Sequence, residues 1–218
     1  MFEYVEDKQF ISNMRHFCGK IMQQFCHNLK EDYNISARFY LVGSGAKNLI
    51  LQNNSNPVDL DYNLEIVKCE NIKNCRRIKD CARNSLNKAL RNYDLNDCDD
   101  STSVLTTKKI YFEGNNQTNF SIDICIVKST SDGHIYRLIR KTYGNVLTNC
   151  YVWECASTNA KNIKKKVNTI KSRGKWIKVR EEYKKIKNNY LRGNDSNHPS
   201  FICYIEAVNN VYNSLNNQ

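Results

Sequence analysis

Residues 39–66 read FYLVGSGAKNLILQNNSNPVDLDYNLEI, and with FSIDICIV at 120–127 this stretch decides how the chain is organised. Phe39 to Val42 form a short apolar run with strand character. It breaks at Gly43-Ser44-Gly45, a turn whose exposed amides can meet phosphate oxygens. Val58, Leu60, Tyr62 and Leu64 then alternate with polar residues, the period of a half-buried strand. That period sends Asp59 and Asp61 to one face and Leu60 and Tyr62 to the other. The two carboxylates are expected side by side.

The same alternation recurs downstream. Phe120, Ile122, Ile124 and Ile126 mark the apolar face of a second strand, and Ser121, Asp123 and Cys125 its other face. Three carboxylates brought to one patch repel one another unless a cation neutralises them. Hard oxygen ligands of this kind suit Mg2+, which keeps several waters and shares its coordination with substrate phosphates. Two such ions can activate an attacking oxygen and stabilise a departing pyrophosphate.

These residues resemble the signature of the nucleotidyltransferases of the DNA polymerase beta superfamily. That signature is an apolar residue, Gly-Ser, a spacer, Asp-x-Asp, and a third Asp on a later strand. Here it reads Val42, Gly43-Ser44, Asp59-Leu60-Asp61 and Asp123. The polar, turn-prone residues from Gln52 to Asn56 read as a loop insertion within the spacer. All three parts occur in order, each on a run with strand character, which is far more specific than a lone Gly-Ser turn or an isolated Asp-x-Asp. The resemblance implies that Asp59, Asp61 and Asp123 ligate two Mg2+ or Mn2+ ions and are the catalytic residues. It implies too that Gly43 and Ser44 bind the β- and γ-phosphates of an NTP.

The chain has 218 residues, enough for one large domain or two small ones. No apolar run is long enough to span a bilayer, and the first twenty residues contain acids and no apolar signal core, so a cytoplasmic protein is expected. Ten cysteines are present without a CxxC pair, and their spacing reads as scattered free thiols rather than a zinc site or a disulfide framework. The net charge of +11 is unevenly spread. Residues 1–130 carry 17 basic against 16 acidic side chains, whereas residues 131–218 carry 16 against 6. The basic surplus belongs to the C-terminal part.

In chain order, Lys8 to Leu29 reads as an amphipathic helix, with Phe10, Met14, Phe17, Ile21, Phe25 and Leu29 on one side. Lys47 to Leu51 reads as the start of a short helix, and Asn71 to Tyr93 is again helical in pattern. Leu95 to Ser101 is acidic and turn-like. Residues 102–113 and 118–128 read as two antiparallel strands joined at Gly114-Asn115-Asn116, with a further strand over His134 to Ile139. This order predicts an α+β fold, a mixed or antiparallel sheet flanked by helices, with a catalytic domain over residues 1–155 and a helical, basic C-terminal subdomain over 156–218.

Lys161 to Arg180 holds nine basic residues and no acid, with Ile163, Val167, Ile170 and Ile177 as one apolar stripe. Phe201 to Leu215 reads as a last amphipathic helix. The basic stretch fits a solvated lysine face, a contact to the triphosphate tail, or a phosphate-backbone contact to RNA. The helical part is weakly similar to the second domain of oligoadenylate synthases, CCA-adding enzymes and cyclic dinucleotide synthases. In those relatives a Lys near a Trp and a Ser on the following helix touch the triphosphate. Lys175-Trp176 and Pro199-Ser200-Phe201 are the nearest matches, with Lys171 as a second candidate for the lysine, which implies Lys175 and Ser200 as further nucleotide-binding residues.

The expected activity is therefore two-metal transfer of a nucleoside monophosphate from an NTP to an acceptor, with RNA or a nucleotide favoured. The alternatives are a catalytically inactive nucleotide- or RNA-binding partner, such as an antitoxin-like protein, and a transferase acting on a small molecule or a protein. Intact Asp59, Asp61 and Asp123 argue against the first. The basic C-terminal part disfavours the polycationic substrates that acidic sites hold.

Overall fold

The chain opens with a three-residue strand, β1 (Phe2–Tyr4), followed by the long helix α1 (Lys8–Tyr33). Asp7 caps this helix by accepting the Phe10 N–H at 2.8 Å, and Asn34 ends it in the left-handed region at φ +53°. The remaining elements in order are β2 (Ser36–Leu41), α2 (Gly43–Lys47), β3 (Leu51–Asn53), β4 (Val58–Lys68), α3 (Cys75–Arg91), β5 (Asp99–Asp100), β6 (Val104–Thr106), β7 (Phe120–Ser129), β8 (Ile135–Tyr143), β9 (Asn145–Cys155), α4 (Ala160–Ser172), α5 (Trp176–Arg192) and α6 (Ser200–Asn216). The computed structural model describes residues 1–54, 56–112, 118–143, 145–156, 160–195 and 198–216.

These elements form two compact units with interleaved sequence. Asp7–Val42 and Pro57–Ala156 make the sheet unit; Met1–Glu6, Gly43–Asn56 and Ser157–Gln218 make the helical unit. In the sheet unit the strand order is β2-β4-β7-β6-β5, with β8 pairing β7 and β9 pairing β8. The β4–β7 pair is parallel and all other pairs are antiparallel, so the sheet is mixed. The expected α+β fold, a mixed sheet flanked by helices with a helical C-terminal part, is the fold observed.

The alternation read from the sequence is the alternation of burial. Val58, Leu60, Tyr62 and Leu64 of β4 and Phe120, Ile122, Ile124 and Ile126 of β7 are all buried, and so are Phe10, Met14, Ile21, Phe25 and Leu29 of α1. The Phe120 ring meets Phe10 and Phe17 edge-on at centroid distances of 6.2 and 6.4 Å, which seats α1 on this face. α3 lies beside α1, with Ile78, Ala82, Leu86 and Leu90 buried and the Asn28 amide donating to the Ser85 carbonyl at 3.1 Å. Burying each large apolar side chain contributes roughly 1.5–3 kcal/mol. Both helices stand on the apolar face of the sheet, and the aspartates belong to the other.

The helical unit has its own core. Ile163 and Ile170 of α4, Val179, Tyr183 and Ile186 of α5, and Cys203, Ala207, Val208 and Val211 of α6 pack together, and Leu49, which follows α2, packs with them. Within this unit β1 pairs with β3.

Several local expectations need correction. The short helix expected at 47–51 begins four residues earlier. Gly43 turns the chain straight out of β2 at φ +60°, Asn48 ends the helix at φ +56°, and Leu51–Asn53 are then extended against β1. The loop insertion at 52–56 therefore begins as a strand. The strand expected over 102–113 contracts to β6, preceded by β5 in the stretch read as a turn. Beyond it pairing continues through the Thr107 N–H to the Ile122 carbonyl at 3.0 Å and the mutual bonds of Ile110 and Phe120. The turn at 114–116 lies outside the described residues. The strand expected at 134–139 extends to Tyr143 and gains an unforeseen partner in β9. The single stripe expected over 161–180 is two helices broken at Gly174, φ +64°, and Ile177 is 58% exposed instead of joining the stripe.

Candidate active site

The polar face of the sheet gathers the three aspartates through the register of its one parallel pair. Along β4 and β7, Asp59 stands opposite Ser121 and Asp61 opposite Asp123. Neighbouring strands lie about 4.8 Å apart and residues two apart share a face, so the three carboxylates fall on one patch. Asp59 is exposed; Asp61 and Asp123 are half-buried. The backbone of this strand is pinned at the patch, because the Asp61 carbonyl accepts the Val42 N–H at 2.8 Å. Val42 is the residue immediately before Gly43-Ser44.

Two hydroxyls hold two of the acids: Thr106, which sequence reasoning missed, and Ser121, which it placed on the Asp123 face without a partner. Thr106 on β6 stands opposite Asp123, and its Oγ1 donates to Asp123 Oδ1 at 2.6 Å. Ser121, itself buried, donates its hydroxyl to Asp59 Oδ1. Neither hydroxyl is legible from a motif, since each is defined by the partner strand rather than by its own neighbours.

Burial, above all, pushes the Asp123 carboxyl above the ordinary aspartate range; the Thr106 hydrogen bond pulls it down, and the charge of Asp59 adds to the rise. A folded-state value above the unfolded one means that the folded chain binds this proton more tightly. The ionised group therefore subtracts stability above the folded value, and the loss is relieved as pH falls through it. Asp123→Asn removes the buried charge while keeping an oxygen for Thr106 to donate to. We expect the variant, without metal, to be more stable than the parent at neutral pH and to lose that advantage in acid, as urea unfolding at two pH values would measure. A variant less stable than the parent at neutral pH would contradict the assignment.

Among the described residues, no group of three or more His, Cys, Asp or Glu side chains converges tightly enough to hold a metal ion by itself. The donor chemistry of the patch nonetheless fits Mg2+ or Mn2+. It offers hard carboxylate oxygens on adjacent strands, and Mg2+ is commonly held by one or two carboxylates with waters and substrate phosphates completing its shell. No lysine or arginine forms an ion pair with Asp59 or Asp123 among the described residues.

The remaining expected residues lie in the helical unit. Gly43 and Ser44 open α2, whose end is fastened within that unit: Arg180 donates to the Asn48 carbonyl at 2.8 Å, and the Lys47 ammonium lies 4.9 Å from the centroid of the Tyr204 ring. Lys175 is the exposed residue before α5, and Ser200 is the first residue of α6. The structure does not join these two by a hydrogen bond. Ser200 Oγ instead accepts from Lys187 Nζ at 3.3 Å, and that buried lysine also lies 4.7 Å from the centroid of the Phe2 ring. Lys187 is a residue sequence reasoning passed over, because its surroundings on α5 read only as charged.

The mixed sheet with helices on its apolar face, followed by a helical part, is the nucleotidyltransferase fold. The solved structures with this fold that the chain resembles include a cyclic AMP-GMP synthase. Escherichia coli MS115-1 CdnC solved with ATP matches with a TM-score of 0.57 and 17% identity, over 93% of this chain and 61% of that one. Vibrio cholerae DncV cyclic AMP-GMP synthase, solved with the linear intermediate 5′ pppA(3′,5′)pG, matches with a TM-score of 0.59 and 9% identity, over 86% of this chain and 64% of that one. The same CdnC in complex with HORMA-deltaN gives a TM-score of 0.55. The chain spans somewhat under two thirds of the length of these structures. At such identities the likeness is one of fold. No family model matches the sequence, and no curated protein matches it. Among the described residues, no helix is long and apolar enough to cross a membrane.

Proposed function

We propose that this chain is a metal-dependent nucleotidyltransferase that moves a nucleoside monophosphate from an NTP to an acceptor hydroxyl. The observation that carries the proposal is the parallel register of β4 and β7, which sets Asp61 opposite Asp123 with Asp59 on the same face. Asp59 and Asp61 would hold two divalent cations and Asp123 one of them. When bound, the cations would neutralise the triphosphate, activate the attacking oxygen and stabilise the departing pyrophosphate.

The chain's own groups do the rest. Gly43, without a side chain to block approach, and Ser44 bind the β- and γ-phosphates; Lys175 and Ser200 are proposed as further contacts to the triphosphate. Asp123, as a ligand of one cation, would also help to remove the acceptor's proton. Most of the acceleration comes from positioning and charge neutralisation rather than from covalent chemistry by the protein.

A second nucleotide is the acceptor class we favour, because the Vibrio cholerae neighbour holds a linear dinucleotide intermediate. RNA is the second acceptor class. Lys164, Lys165, Lys175 and Lys178 on α4 and at the start of α5 are exposed with no acidic partner among the described residues, a surface suited to a phosphate backbone.

The test is incubation with each of the four α-labelled NTPs and Mg2+ or Mn2+, with and without total RNA, beside an Asp59→Asn/Asp61→Asn control. Label in a small product or a polymer that disappears in the control is the expected result and identifies base and acceptor class together. Label that persists in the control would remove the carboxylates from the mechanism. Absence of label with measurable NTP binding would turn the function toward a nucleotide-binding partner protein.

A further inference from the structure

Each hydroxyl beside the aspartates has a position in the sheet register. Ser121 is the cross-strand partner of Asp59, and Thr106 is the cross-strand partner of Asp123, so β7 places one hydroxyl–carboxylate pair on each of its two sides. Both bonds go to Oδ1, and neither Asp59 nor Asp123 has a second side-chain hydrogen bond among the described residues. The neighbouring Thr107 offers a contrast, because its hydroxyl accepts the Ile122 N–H at 2.9 Å and so serves the backbone.

From this arrangement we propose that Thr106 and Ser121 are positioning residues for the metal site. Each fixes the rotamer of one carboxylate and leaves its second oxygen for the cation. The proposal rests on the metal reading given above. Its physical argument is that three carboxylates on one patch turn away from one another unless something holds them. A lysine or arginine in these places would hold them by supplying the positive charge itself and would compete with the cation. A hydroxyl holds the geometry with a dipole and leaves the negative charge of the patch intact. Groups that orient metal ligands in this way commonly account for about 10- to 100-fold in metal affinity.

The experiment is a titration of the full chain with Mn2+ alone, following free Mn2+ by electron paramagnetic resonance, for the parent and for Thr106→Val, Thr106→Ser, Ser121→Ala, Thr107→Val and Asp61→Asn. Thr106→Val and Ser121→Ala are each expected to raise the Mn2+ Kd about tenfold, and Thr106→Ser to restore it. Thr107→Val is expected to lower thermal stability while leaving the Mn2+ Kd unchanged, which separates loss of orientation from loss of fold. An unchanged or lower Kd in Thr106→Val and Ser121→Ala, with binding abolished in Asp61→Asn, would overturn the positioning role and leave the metal site standing. A parent that holds no Mn2+, or holds it equally after Asp61→Asn, would overturn the metal reading and the positioning role with it.

Discussion

Asp61→Asn is expected to reduce nucleotidyl transfer by about a thousandfold or more while the protein stays folded, because the carboxylate acts on charge that develops during the reaction. Asp61 is the acid whose side of β4 faces Asp123 in register, so its removal unbalances the patch at its centre. The substitution is nearly isosteric, and the backbone bond from Val42 to the Asp61 carbonyl does not depend on the side chain. Labelled transfer and thermal unfolding should therefore separate cleanly, with rate lost and melting temperature kept within a few degrees. Residual activity above a tenth of the parent's would contradict the role given to this residue.

Asp100→Ala should have the largest effect on stability. Lys79 of α3 is almost completely buried, with 1% of its side chain exposed, and its ammonium forms an ion pair with Asp100 Oδ1 at 3.0 Å and donates to the Val104 carbonyl at 3.3 Å. The Tyr151 hydroxyl donates to the other oxygen of Asp100 at 3.3 Å. Deleting the carboxylate strands a buried positive charge, which typically costs about 3–5 kcal/mol. Replacing both partners, as in Lys79→Met/Asp100→Leu, should cost far less, since the desolvation of two charges disappears together with their attraction. Urea unfolding of the single and double variants would measure the difference. Equal losses in both would mean that the carboxylate matters for packing rather than for charge. The pair also matters for the site, because β5 and β6 are adjoining strands and β6 carries Thr106.

The strands that carry the aspartates were legible because their apolar faces are long and strictly alternating; a period of two over Val58–Leu64 and Phe120–Ile126 admits little else. α1, α3 and α6 were legible for the same reason at period 3.6. β1, β3 and β5 span two or three residues each, too short for any period to establish itself. The break at Gly174 was hidden because lysines and isoleucines continue on both sides, and only the backbone angle of the glycine betrays it. Motif order alone put the three aspartates together, but it could not say that β4 and β7 run parallel or that Asp61 meets Asp123. Those are properties of pairing across the chain. The pairings of Thr106, Ser121 and Lys187 were illegible for the same reason, each being defined by a partner distant in sequence or on another element.

That parallel pairing also governs when during folding the site can exist. Ser121 and Asp59 are 62 residues apart, and the crossover between their strands includes α3. Closing a loop of that size costs entropy before any contact rewards it, so non-local pairing of this kind forms slowly. Hairpins and helices can assemble early from local contacts, but the aspartate patch is absent until β4 and β7 dock. The patch is thus a product of the slowest contacts in the sheet, and a newly made chain would gain its acidic site only as the sheet closes.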